Sequence, residues 1–168
     1  MIATAFALIS LIALDRASKI LFEALLANGR TVTLIPGVIE LRLLEGGNSG
    51  AAFGILKNST GLLIVLTFAL VFGLLWLLFF KKFASRWLTA AAILVTAGGI
   101  GNLYDRVAYG YVTDFFHFLF VEFPVFNVAD CCVTIGAVIV CAYLLLSKQE
   151  APLFENSKDN GPPPPHCE

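Results

Sequence analysis

Twenty consecutive residues, Gly61–Phe80, carry no charged side chain. A helix needs about 20 apolar residues to cross a bilayer, so this run constrains the chain more than any other feature. Three further apolar segments approach that length: roughly Ala3–Ala27, Trp87–Tyr104 and Pro124–Ser147. The composition agrees, with 58% hydrophobic and 14% charged residues, where a soluble domain is about one quarter charged. The expected fold is an all-α membrane protein with four transmembrane helices. Residues 1–149 form a single domain, and the polar stretch 150–168, ending GPPPPHCE, is expected to be disordered.

The first apolar run lacks a basic leader and an A-x-A site and continues into charged residues, so it is expected to be a retained span. Basic residues in short loops set orientation. Lys81, Lys82 and Arg86 crowd the loop between spans two and three, and Lys148 follows span four. That loop and both termini are therefore expected in the cytoplasm, with the two longer connections outside. No basic run points to nucleic acid. The four cysteines, at 131, 132, 141 and 167, match neither a disulfide framework nor a zinc spacing and read as small apolar residues.

The outer connections carry their own patterns. Val38–Leu44 partly alternates, with Glu40 and Arg42 at polar positions, which predicts a short strand or hairpin. A small extramembrane sheet there would shield a site or hold an extended peptide. Asn48 and Gly50 lie in a glycine-rich break that spacing alone reads as an ordinary loop. Between spans three and four, Gly110 breaks the helix and five phenylalanines follow from Phe115 to Phe123. This is expected to be an amphipathic interfacial segment, serving as a lid. His117 within it reads as an interfacial residue rather than a base. With no second histidine beside it, no metal and no cofactor are expected.

Ionisable groups in or beside membrane helices are costly and mark function or a buried pair. Asp15, Lys19 and Glu23 recur every four residues and share one face of span one. They read equally as a self-neutralising pair that orients the helix and as support for a site. Ala97, Gly98 and Gly101 let a neighbouring helix approach span three closely, which would press Asn102, Asp105 and Arg106 against it. Asp105 and Arg106 read equally as a simple interfacial ion pair and, because sequence neighbours on a helix do not face each other, as groups with separate partners. Pro124 suits a first helical turn, and Asn127 and Asp130, three apart, share one face of span four.

Asp114 begins the outer aromatic segment and Asp130 lies early in span four, which places both near the outer surface. Two close carboxylates cannot both ionise cheaply and share a proton. One then activates water while the other protonates a carbonyl or leaving amine. A proton-coupled transporter would use the same residue types, but it needs a polar path through the membrane, and span two offers none.

The blocks GNLYDR (101–106), GYVTDF (110–115), FNVAD (126–130) and NSGAAF (48–53), with Asp15 and Lys19 as D-x-x-x-K, resemble lipoprotein signal peptidase, signal peptidase II. The resemblance runs over roughly residues 10–147. It implies an aspartyl peptidase of the bacterial inner membrane, acting on the periplasmic side; a monomer is expected. Its substrate would be a lipidated prolipoprotein within membrane lipid, cut just before a diacylglyceryl-modified cysteine. By the same resemblance Asp114 and Asp130 are the catalytic pair. Asn48, Gly50, Asn102, Asp105, Arg106 and Asn127 bind or support, alongside Asp15 and Lys19. Arg16, where a Gln is frequent, and Cys131-Cys132 depart from the family pattern.

Overall fold

The computed structural model of the chain describes residues 1–44, 46–48, 50, 60–81, 83, 85–146 and 153–154. Four long helices dominate: α1 (Ile2–Leu25), α2 (Thr60–Phe80), α3 (Arg86–Tyr109) and α4 (Val128–Leu146). Three of them, α2, α3 and α4, are long and apolar enough to cross a membrane. The fourth, α1, carries Asp15, Arg16, Lys19 and Glu23 along its second half.

Burial is inverted relative to a soluble protein. Lys19, Asn127, Asp15, Asp105 and Asp114 are among the largest fully buried side chains. Phe6, Ile9, Val65, Phe68, Phe72 and Val138 are among the exposed apolar ones. Apolar side chains gain nothing from leaving lipid, whereas every polar group there needs a partner. The polar groups therefore turn inward. At the opposite end of the helices, Lys81 lies over the Trp76 ring at 5.6 Å and Arg86 over Trp87 at 5.7 Å. Amphipathic aromatic rings beside cations suit a headgroup boundary.

Helices α3 and α4 pack closely through glycine. A Cβ at Gly98 would overlap the Ala129 carbonyl oxygen, and one at Gly136 would meet Val95 Cγ2 at 2.6 Å. The small residues foreseen on span three thus do what their spacing implies. Helix α3 runs on past Tyr104, so Asp105 and Arg106 are helical rather than in the connection. It stops at Gly110, whose φ of 82° only glycine adopts without strain.

A three-stranded antiparallel sheet caps the same end: β1 (Val32–Ile35), β2 (Ile39–Leu41) and β3 (Phe116–Phe118), in the order β1-β2-β3. The hairpin pairs Thr33 with Glu40, and β2 pairs Glu40 with His117 and Leu41 with Phe116. Two expectations are revised here. The strand predicted over Val38–Leu44 spans only Ile39–Leu41 and has β1 before it. The aromatic segment, expected as an interfacial stretch, supplies a strand of the sheet: Phe116 exchanges backbone bonds with Phe126 at 2.8 and 3.0 Å. Its alternation explains this. The His117 ring reaches Glu40 Oε1 at 3.0 Å, while Phe118 packs against Phe126 at 5.1 Å between centroids. Under the sheet, Leu26, Leu41 and Phe115 form a small core with Phe22 packed on it.

Of the expected tail, only Leu153 and Phe154 are described, with Phe154 bridging to Phe83; the rest lies outside the described residues. Of the cysteines, Cys132 is buried as expected, but Cys131 is half-buried and Cys141 exposed. Cys167 lies outside the described residues.

Candidate active site

The start of α4 sets the geometry. Asn127 is its N-cap, and its Oδ1 accepts the Asp130 N–H at 2.9 Å. Asp130 Oδ2 accepts the Asn127 N–H in return at 3.1 Å. This reciprocal capping box satisfies two helix-end donors at once. A third, the Ala129 N–H, donates to Asp15 Oδ1 of α1 at 2.9 Å. The i, i+3 spacing of Asn127 and Asp130 thus encodes a cap, and the helix begins at Val128. Pro124 accordingly lies in the preceding loop, not in a first turn.

The cap also fixes which way the Asn127 amide points. With Oδ1 committed to Asp130, Nδ2 faces Asp114 Oδ1 at 2.6 Å and Asn102 Oδ1 at 3.1 Å. Asn102 is oriented by an equally strict rule, because Lys is only a donor. Lys19 Nζ donates to Asn102 Oδ1 at 3.1 Å, so Asn102 Nδ2 must face Asp130 Oδ1, which it meets at 2.8 Å. Asn48 Nδ2 donates to the other Asp114 oxygen at 2.9 Å. Both carboxyl groups therefore hang on one amide network, joined through Asn127.

Beneath it lies a charge cluster. Lys19 is fully buried and pairs with Asp15 Oδ2 and Asp105 Oδ2, each at 2.9 Å. Arg16 pairs with Asp105 on its other side and stacks on Tyr104, 4.8 Å from the ring centroid. Two cations thus face two carboxylates, which offsets much of the cost of burying them. Arg106 turns elsewhere, in line with the reading of separate partners. Its guanidinium donates to the Gly50 carbonyl at 3.1 Å and the Asn102 carbonyl at 3.5 Å. Gly50 N–H in turn donates to Asn48 Oδ1 at 3.0 Å, which holds Asn48 toward Asp114.

All ten residues singled out in the sequence therefore meet in one place. Asn48 and Gly50, which spacing alone reads as an ordinary loop, stand beside the acids: Asn48 donates to Asp114, and the Gly50 N–H donates to Asn48. Sequence reasoning passed over Thr113, whose hydroxyl donates to Glu23 Oε1 at 2.6 Å. Its position one residue before Asp114 was the available signal. It also assigned Arg16 no role, although Arg16 sits one residue beyond Asp15.

Asp114 is 1% exposed. Burial first, and the neighbouring Asp130 charge second, push its carboxyl up to about 7, against the amide donors Asn48 and Asn127. Both acids line a cavity of about 490 Å³ whose remaining wall is largely apolar, including Phe118, Phe123, Val125, Val133 and Ile135. Asn48, Asn102 and Arg106 supply its polar end. Among the described residues, no cluster of three His, Cys, Asp or Glu side chains could hold a metal ion.

The family model described as signal peptidase (SPase) II matches residues 7–146. The lipoprotein signal peptidase of Streptococcus pneumoniae is 38% identical over 135 residues, 80% of this chain and 87% of the relative. That of Streptococcus thermophilus is 38% identical over 149 residues, 89% and 95% of the two chains. A bacterial membrane enzyme solved by the in meso method at 2.3 Å superposes with a TM-score of 0.78 at 26% identity, covering 86% of this chain and 88% of that one. A second, solved at 1.9 Å, gives 0.77 at 25% identity, with 88% and 96% covered. With a match spanning nearly all of α1 through α4, the chain belongs to the signal peptidase II family.

Proposed function

We propose that this protein is an aspartyl endopeptidase that removes the signal peptide from diacylglyceryl-modified prolipoproteins, cutting just before the lipidated cysteine. One observation carries the proposal: Asp114 and Asp130 meet through Asn127 at the polar end of a largely apolar cavity. In this reading Asp114, with its raised pKa, holds the proton that the pair shares, and Asp130 serves as the base. Asp130 takes a proton from water as the water oxygen attacks the scissile carbonyl carbon. Asp114 gives its proton to the carbonyl oxygen. On collapse, Asp130 returns a proton to the departing amine, the C–N bond breaks, and a hydroxyl proton of the intermediate restores Asp114.

The surroundings support this division of work. Asn102 and the Asn127 N–H hold Asp130 against rotation. The apolar wall suits acyl chains and an apolar signal helix, and it excludes bulk water, which strengthens the electrostatics within. All four long helices span the membrane in this account, α1 turning its charged face inward. Both termini lie in the cytoplasm, and the acid pair faces the periplasm of the inner membrane. Buried charges gather at one end of α1, α3 and α4, and α2 buries only Val71 among its described residues. A transporter's through-path has no support in that distribution.

The test is cleavage by purified protein of a prolipoprotein with and without its diacylglyceryl group. Expected is a single cut before the modified cysteine, at least about tenfold slower without the lipid, and unaffected by a metal chelator. Loss of activity on chelation would replace the acid pair with a metalloenzyme.

A further inference from the structure

Asp114 lines two cavities and is the residue that these two share. The first is the largely apolar one already described. The second, of about 230 Å³, lies against Asp114 from the α1 side, walled by Glu23, Leu44, Gly47, Tyr111 and Thr113. At about 30 Å³ per liquid water, it has room for several. Gly47 is part of its construction, because a Cβ there would run into the Tyr111 ring.

Peptide hydrolysis consumes one water per turnover, and the shared proton must equilibrate with solvent. A lipidated substrate seated among Phe118, Phe123 and Ile135 closes the first cavity with hydrocarbon. Water then needs another approach, and the second cavity borders Asp114 on the side of Glu23 and Thr113. Thr113 Oγ1 donates to Glu23 Oε1 at 2.6 Å, and Thr113 directly precedes Asp114. A hydroxyl both donates and accepts, so it passes a proton along without becoming charged.

We infer that the second cavity is the water and proton inlet of the acid pair, with Glu23 at its mouth and the Thr113 hydroxyl linking Glu23 to the water beside Asp114. This rests on the peptidase reading above. Glu23 is half-buried on α1, one turn beyond Lys19, whose charge is engaged by Asp15 and Asp105. From α3 it is faced by Tyr109, and Asp105 Oδ2 accepts the Thr113 N–H at 3.3 Å. Asp130 and Arg106 act on the Asp114 end from α4 and α3. Glu23 thus exchanges protons with solvent on one side and with Thr113 on the other. It touches neither the scissile bond nor the apolar pocket, and its effect is on the rate of proton delivery.

The experiment uses full-length protein and a diacylglyceryl prolipoprotein, with Glu23→Gln, Thr113→Val and Glu23→Ala beside wild type and Asp130→Asn. Expected for Glu23→Gln and Thr113→Val is a roughly tenfold fall in kcat with KM held within about twofold. The solvent deuterium isotope effect should grow, and formate in the buffer should restore much of the Glu23→Ala rate. If Glu23→Gln keeps kcat and isotope effect within about twofold of wild type, the inlet is wrong. A loss that formate does not restore, together with a lower Tm, assigns Glu23 a structural role and also overturns it. Either failure, with wild type active and Asp130→Asn inactive, leaves the peptidase reading standing; an inactive wild type removes both.

Discussion

Asp130→Asn and Asp114→Asn are each expected to lower turnover by at least about a thousandfold while the chain still folds. The two carboxyl groups hang on one amide network, so neither works without the other. Asn at 130 keeps one acceptor oxygen for Asn102 or for the Asn127 N–H but turns an NH₂ toward the other donor. That mismatch costs about 1–3 kcal/mol, too little to unfold the protein, and it leaves no base for water. Asn at 114 meets the same conflict between Asn48 and Asn127 and supplies no transferable proton. Product formation against a lipidated prolipoprotein, with thermal unfolding in detergent as the control, checks both variants. Either one cutting at near the wild-type rate would remove that carboxyl from the chemistry.

Lys19→Met is expected to be the most destabilising single change, at about 3–5 kcal/mol and a Tm drop on the order of 10 °C. Lys19 is fully buried and holds Asp15, Asp105 and Asn102 together. Without it Asp105 keeps Arg16 but Asp15 is left with no cation, only the Ala129 N–H, and Asn102 loses the donor that fixes its amide. Activity should fall too, because Asn102 is then free to turn its oxygen toward Asp130. Adding Asp15→Asn should recover part of the stability by removing one uncompensated charge, an interaction a double-mutant cycle measures directly. A single variant that unfolds within about 2 °C of wild type would mean that the charge cluster contributes little.

Much of this was legible because lipid inverts the usual pattern. Any charge within an apolar run must have a reason, so Asp15, Lys19, Asp105, Asp114 and Asp130 announced themselves. The i, i+4 spacing on span one and the small residues on span three located the inward faces correctly. What the sequence left open was long-range pairing. The third strand comes from residues that read as an aromatic interfacial segment, since period-two alternation in an all-aromatic run looks like a membrane surface. Its partner, β2, lies some eighty residues earlier in the chain. The capping box was hidden because Asn and Asp three apart also describe a helix face; only the start of α4 at Val128 distinguishes the two. Asn48 reads as a loop residue until Asp114 arrives beside it from the far side of two helices.

The shared proton is the claim on which the mechanism depends, and an infrared pH titration of isotope-labelled aspartate in the wild type and Asp130→Asn proteins measures it. The account predicts that the Asp114 carboxyl stays protonated until about pH 7 and releases its proton at lower pH once the Asp130 charge is gone. Between about pH 4, where a free carboxyl titrates, and about pH 7, the folded chain holds a proton that the unfolded chain has lost. This group's stabilisation is therefore greatest below that window and falls as the pH rises through it. An Asp114 carboxyl that ionises at about pH 4 in the wild type, and is indifferent to Asp130→Asn, would contradict the account.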